Sequence, residues 1–224
     1  MKNVSIAIDG PSGAGKSTLA RALAKEKGYL YVDTGAIYRT IGCYVRRCGV
    51  DPADEAAVLR LLPQAKVELR RGEDETQRMF LNGEDVSEEI RLPEVSKYAS
   101  VVSAHPEVRA YLLEMQRALA RNHSVVMDGR DIGTVVLPDA DVKIFLTASV
   151  EIRAKRRYLE LSERGTPEAL DQVRSEIVQR DWDDSHRAAA PLRQAEGAVA
   201  VDTTTLNFQE SLAALSRVVE EALK

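Results

Sequence analysis

The chain has 224 residues, 44% hydrophobic and 29% charged, a soluble composition whose length suits one sizeable core with or without an insertion better than two ordinary domains. Its formal net charge of −4 does not indicate a broad basic surface for a nucleic-acid polymer, so any nucleotide site must gather its basic residues in one cleft. No apolar run approaches the roughly 18 residues of a membrane span. The two cysteines, Cys43 and Cys48, fit neither C-x-x-C nor zinc spacing, and the N-terminus runs straight into a strand pattern rather than a signal peptide, so the expectation is one cytoplasmic domain with reduced thiols.

The apolar run Val4 to Ile8 predicts a strand. It leads into Gly10, Gly15, Lys16 and Ser17 at the spacing G-x-x-x-x-G-K-[ST], a loop whose backbone N–H groups cradle phosphates. Glycines let such a loop take positive φ and bring main chain close to an anion. Lys16 adds a point charge for the β/γ-phosphates and Ser17 a hydroxyl for Mg²⁺. Behind the loop, Lys16 to Lys27 predicts a helix with Leu19, Ala20, Leu23 and Ala24 on one face and its positive N-terminal end toward the same phosphates.

Gly28 suits a helix C-cap, and Tyr29 to Val32 reads as a second strand. Asp33 or Thr34 can cap the next helix, which carries Arg39 about a turn and a half in; Arg39 either points toward the cleft or is a solvated helix arginine. Asp51 to Leu62 reads as helix, stopped by Pro63. Between 63 and 92 the pattern becomes alternating, with strands at Lys66–Arg71 and Gln77–Leu81, polar Gly72–Thr76 between them, and an Asn82-Gly83 turn before Glu84 to Val86. This predicts a small antiparallel insert in a parallel α/β core, able to close over whatever Arg39 holds.

Glu94–Ser103 and Pro106–Asn122 read as helices, the second with Val108, Leu112, Met115 and Leu119 on one face and Arg109 off it. Ser124 to Asp128 is an apolar strand ending in a carboxylate, the arrangement that holds the Mg²⁺ shell in P-loop proteins. In the following Gly129-Arg130-Asp131-Ile132-Gly133-Thr134, either the arginine grips a phosphate while the aspartate accepts hydrogen bonds from a base, or the two form an ion pair that closes a turn. After a strand at Asp141–Leu146, a helix presents Arg153, Arg156 and Arg157 on one face, which is either solvated or part of a mobile lid hinged near Gly165. The next helix, from about Glu168, sets Arg180, Asp184 and Arg187 in one charged stripe, with His186 at the surface. A short strand at Ala198–Val201 precedes an Asn207/Glu210 capping box and an amphipathic C-terminal helix carrying Phe208, Leu212, Leu215, Val219 and Leu223.

Three of these stretches, Asp33-Thr34-Gly35-Ala36-Ile37-Tyr38-Arg39, Asp128 to Thr134, and Arg187-Ala-Ala-Ala-Pro-Leu, together with the phosphate loop, closely resemble those of the bacterial cytidylate kinases over nearly the whole length. The resemblance implies the nucleoside monophosphate kinase fold: a P-loop NTPase-type parallel five-stranded sheet flanked by helices, with an NMP-binding β insert at 63–92 and a short helical lid at about 153–168, in a single domain over 1–224. It implies transfer of a phosphoryl group from ATP, with Mg²⁺, to CMP or dCMP. It places ATP on Gly10, Pro11, Ser12, Gly13, Ala14, Gly15, Lys16, Ser17 and Thr18 with Arg156 and Arg157, and the metal on Ser17 and, through water, Asp128. The acceptor phosphate falls to Arg39, Arg130 and Arg187, the cytosine to Ser100, Arg109 and Asp131, the sugar to Arg180 and Asp184, with Thr34 where many relatives have Ser. Lys16, Arg130 and Arg187 are thereby the catalytic set. The stretch Trp182 to His186 is less arginine-rich than in many members.

Two other classes compete. A P-loop GTPase switch wants an N-K-x-D motif, which these residues lack. A kinase acting on a sugar or hydroxy acid needs a base to take a hydroxyl proton, a part open to Asp33. The remaining expectations are a monomer with no nucleic-acid polymer or membrane partner.

Overall fold

A computed structural model of the chain describes residues 3–72, 77–163, 165 and 168–224. The polar link expected before Gln77 and most of the hinge around Gly165 lie outside the described residues. The chain divides into two units, Met1–Tyr31 with Leu119–Lys224, and Val32–Ala118.

A five-stranded sheet consists of β1 (Ser5–Asp9), β6 (Val125–Gly129), β7 (Val142–Thr147) and β8 (Val199–Asp202) of the first unit with β2 (Leu30–Asp33), whose last two residues are counted in the second unit, in the order β2-β6-β1-β7-β8. β1 pairs in parallel with β6 on one side and β7 on the other, and β7 in parallel with β8. A strand flanked in this way is apolar on both faces, which is why Ile6, Ala7 and Ile8 form an unbroken buried run. α1 (Lys16–Lys27) and α8 (Phe208–Ala222) cover it, joining Leu19, Leu23, Leu215 and Val219 to Ile6, Ile8, Val126, Ile144 and Leu146 in one core. Each such aliphatic side chain contributes roughly 1.5–3 kcal/mol by leaving water. The strand order reverses at β1, with β6 to one side and β7 to the other. The carboxyl ends of strands at such a switch point are where open α/β sheets bind ligands, and the glycine loop leaves β1 there.

α1 has the predicted bounds: Gly15 at φ 87 precedes it, and Gly28 at φ 69 ends it with N–H bonds to the Ala24 and Lys25 carbonyls. The predicted capping box of Asn207 and Glu210 opens α8. The apolar face of α8 is narrower than expected, because Ser211, Leu215 and Val219 are buried whereas Phe208 and Leu223 stay exposed. α6 (Val150–Glu163) and α7 (Leu170–His186) form a smaller cluster through Ala154, Leu161, Val173 and Ile177.

The second unit contains α2 (Thr34–Arg47), α3 (Glu55–Leu61), the antiparallel sheet β3 (Val67–Arg71), β4 (Gln77–Leu81) and β5 (Glu84–Asp85), α4 (Pro93–Val102) and most of α5 (Pro106–Asn122). The β4–β5 turn uses Asn82 at φ 52 and Gly83 at φ 87, the left-handed pair that matches hairpin twist. α3 starts later than Asp51 because Asp54 is the cap, accepting from the Ala57 N–H, while Asp51 holds the preceding turn through the Ala53 N–H. The buried face of α5 is Val108, Arg109, Leu112 and Gln116, so Arg109 lies on the inward stripe and Met115 and Leu119 at its margin. At Gly42 a Cβ would meet the Ala99 N at 2.7 Å, which brings α2 and α4 into backbone contact.

Among the described residues, no helix is long and apolar enough to cross a membrane.

Candidate active site

The loop from Gly10 to Gly15 is held against its neighbours so that only glycine fits at key points. A Cβ on Gly10, at φ 151, would sit 1.9 Å from the Leu146 carbonyl oxygen. Gly13, at φ 74, lies with its missing Cβ 3.0 Å from the Arg153 carbonyl oxygen. Two loop carbonyls are fixed by α6: Arg153 Nη1 donates to Ser12 O at 3.0 Å and Arg156 Nη1 to Ala14 O at 3.2 Å. Arg156 also donates to Thr203, through Nη1 to Oγ1 at 3.1 Å and Nη2 to the carbonyl at 2.9 Å, and burial lowers its pKa. Arg153 bonds Ala148 O through Nε at 2.9 Å and pairs with Asp181 Oδ2 at 2.6 Å. Arg153 is buried and Arg156 half-buried. Arg157 is half-exposed and pairs with Glu160.

At the head of α1, Lys16 is buried and its Nζ donates to Pro11 O at 2.7 Å. Burial, then repulsion from Arg130, push its pKa well below the ordinary lysine value, while Asp128 and Asp184 act against them. A buried ammonium so placed gains from an arriving anion. The Ser17 hydroxyl donates to Asp128 Oδ2 at 2.9 Å, at the end of β6; Thr18 is exposed. A hydroxyl and a carboxylate offer oxygen donors of the kind a hard divalent cation such as Mg²⁺ takes, so these residues fit that ion.

Beyond β6 the chain carries Arg130 and Asp131, which meet α7 and the residues after it. Arg130 Nε pairs with Asp184 Oδ2 at 2.6 Å, and Arg187, where α7 ends, lies 3.9 Å from Asp184 Oδ1 and 3.7 Å from Asp131 Oδ1. Arg187 Nε donates to Ala190 O at 2.8 Å. The stripe read as Arg180, Asp184 and Arg187 is therefore not an exposed row of helix charges. Burial alone would raise the Asp184 pKa, but Arg130, Arg180 and Arg187 outweigh it and hold the carboxyl below its ordinary value. Burial disfavours the Arg130 cation, yet Asp184 more than restores it. Lys16, Arg130, Arg180 and Arg187 thus face Asp128, Asp131 and Asp184 within one unit: a cationic cluster held by carboxylates.

The other predicted residues belong to the second unit. Thr34 is buried at the first position of α2. Arg39 Nη2 pairs with Asp33 Oδ2 at 2.9 Å, and Asp33 Oδ1 accepts from the Ala36 N–H at 2.8 Å. Asp33, the candidate base for a hydroxyl acceptor, is thus both helix cap and arginine partner. Arg109 is buried, donates to Ser103 O at 3.0 Å and stands 5.2 Å from the Tyr38 ring centre, while Ser100 is half-buried on α4.

Two residues with a bearing on the site carried no readable motif. Arg153 looks like one member of a charge run until its partners from the loop and α7 are seen. Asp9 closes β1 with both oxygens on backbone amides, a use that only the partner segment reveals; burial pushes its pKa up to about 6.

A family model described as cytidylate kinase matches residues 6–221. A cytidylate kinase from Oceanobacillus iheyensis is 50% identical over 209 residues, covering 93% of this chain and 90% of the relative. One from Bacillus cytotoxicus is 48% identical across 100% of this chain and 99% of its own, and one from Geobacillus sp. (strain WCH70) 49% identical across 99% and 98%.

Proposed function

Because the chain belongs to the cytidylate kinase family, we propose that it transfers the γ-phosphoryl group of ATP to CMP or dCMP, giving ADP with CDP or dCDP. The observation that carries the reading is the buried Lys16 at the head of α1, in the field of Arg130 and Arg180 and countered by Asp128 and Asp184. Phosphoryl transfer requires positioning and relief of negative charge more than covalent chemistry. An acceptor phosphate oxygen is already a nucleophile, so no general base is needed and in-line attack suffices.

In this reading the loop from Gly10 to Thr18 binds the ATP phosphates, with Lys16 on the β/γ oxygens and Arg156 and Arg157 on the ATP side. Arg39, Arg130 and Arg187 hold the acceptor phosphate. Ser100, Arg109 and Asp131 read the cytosine, Arg180 and Asp184 the sugar, and Thr34 adds a hydroxyl on the acceptor side. Ser17 and, through water, Asp128 would hold Mg²⁺. That ion would supply neutralisation of the negative charge on the transferring phosphate. We take the chain as one kinase domain over 1–224, with 63–92 as the acceptor insert and about 153–168 as the lid that excludes water. We take the protein as a monomer and as cytoplasmic, the latter matching the free thiols of Cys43 and Cys48.

The test is an acceptor panel. The purified chain is given ATP–Mg²⁺ with CMP, dCMP, UMP, AMP, GMP or non-nucleotide acceptors, and ADP is measured. Selective turnover of CMP and dCMP is expected; preference for AMP or a hydroxy acid overturns the reading.

A further inference from the structure

Asp9 is 3% exposed and takes no part in the ligand contacts proposed above. Its two oxygens accept from consecutive backbone amides, Ile132 N to Oδ1 at 2.8 Å and Gly133 N to Oδ2 at 2.7 Å. Those amides open the single π-helical turn Ile132–Val136, directly after Arg130 and Asp131. On its other side Asp9 adjoins Gly10, the first residue of the phosphate loop. The β1–β6 ladder ends where Asp9 pairs with Gly129, so the Asp9 side chain takes over where backbone pairing stops. Gly133 completes the fit: a Cβ there would lie 3.2 Å from the Ala195 Cβ and 3.4 Å from Asp9 Oδ2.

Burial opposes a charge at this position and the two amides favour it. An apolar side chain would fill the space without that opposition but would leave two buried N–H groups unpaired. The carboxylate is explained by its acceptor geometry.

We propose that Asp9 is a positioning residue that anchors the Arg130–Asp131 turn to the strand launching the phosphate loop, and thereby sets affinity for the acceptor nucleotide. The identity of that acceptor rests on the preceding reading. The phosphate loop itself is held independently by Arg153, Arg156 and the close fit of Gly10, so the effect of losing the anchor falls on the acceptor side.

Asp9→Asn tests this, because its amide group turns one acceptor oxygen into a donor facing a backbone N–H. The KM for CMP should rise about tenfold or more while the KM for ATP stays within about twofold, an effect in the range of losing one buried hydrogen bond. The Ile132 and Gly133 amides should lose protection from hydrogen exchange about tenfold, with those of Ile6 to Ile8 unchanged. Gly133→Ala, whose Cβ would crowd the Ala195 Cβ and so shift the anchored turn with Asp9 intact, should give the same split between substrates, and it decides the matter if Asp9→Asn does not fold. An unchanged KM for CMP, or a rise shared equally by both substrates, overturns the proposal. Wild-type protein that ignores CMP sinks the functional reading instead, and amide exchange then decides the anchor alone.

Discussion

Arg130 Nε and Asp184 Oδ2 stand 2.6 Å apart, joining residues 54 positions distant, with side chains 19% and 11% exposed. Asp184 is the shared counter-ion of three arginines, because Arg180 and Arg187 also hold its pKa down. This decides how a cluster of cations can stay together before any phosphate arrives.

Asp184→Asn should therefore destabilise the chain, by about 3–5 kcal/mol at pH 7, the usual cost of removing one partner from a buried pair. A carboxyl depressed in the folded state contributes stability above its unfolded pKa of about 4 and loses it as pH falls through the lower folded value. The gap from wild type should be constant above about pH 5 and shrink below about pH 4. Urea unfolding across that range checks it, and millimolar phosphate should narrow the gap by replacing the missing charge. A gap that stays constant down to pH 3 would contradict the counter-ion role.

Lys16→Ala should lower kcat/KM roughly 100- to 1,000-fold or more, the scale of losing one preorganised charge-stabilising group. Stability should change little, because the variant also removes a buried charge that its surroundings disfavour. Steady-state kinetics and a thermal melt separate the two; near-normal turnover would remove Lys16 from the mechanism.

Arg153→Ala and Arg157→Ala differ by one helical turn and should differ sharply in effect. The first loses bonds to Ser12 O and Ala148 O and the ion pair with Asp181, leaving that half-buried carboxylate without its cation. A loss of about 1.5–3 kcal/mol and a raised KM for ATP are expected. The second loses a half-exposed pair with Glu160 and should stay within about 0.5 kcal/mol of wild type. Paired denaturation curves distinguish them, and equal midpoints would refute the assignment.

The raised pKa of Asp9, about 6, has the opposite sign to that of Asp184. A carboxyl raised by burial favours the folded state while protonated, and that contribution is lost as pH rises from about 4 through 6. Over that interval wild type should lose up to roughly 3 kcal/mol relative to Asp9→Asn. Unfolding free energies of both proteins from pH 4 to 7.5 measure the difference; parallel curves would show that Asp9 does not titrate there.

Much of the fold was legible because it depends on local chemistry. Glycine spacing before Lys16, the Asn207/Glu210 box, the Asn82-Gly83 turn and the alternation of Gln77–Leu81 each specify backbone conformation within a few residues, and α1, α8, the hairpin and β4 follow. Boundaries failed where two local options competed, as with Asp51 and Asp54 for the cap of α3. One face failed because periodicity counts only apolar residues: it put Met115 on the buried stripe of α5, whereas Arg109 and Gln116, which donate to the Ser103 and Leu112 carbonyls, are buried there.

Short-range patterns in the amino-acid order were enough to determine a phosphate-binding loop between a strand and a helix, an antiparallel insert, and the charged residues available for an anionic ligand. Tertiary structure alone decided which of those charges are buried and what each opposes. Asp9 finds its amides 123 and 124 residues away, and Arg153 finds the Ser12 carbonyl across 141. The strand order β2-β6-β1-β7-β8 sets those meetings. The physical reason is that a charge's worth depends on the dielectric and the partners around it, and both are set by segments remote in the chain.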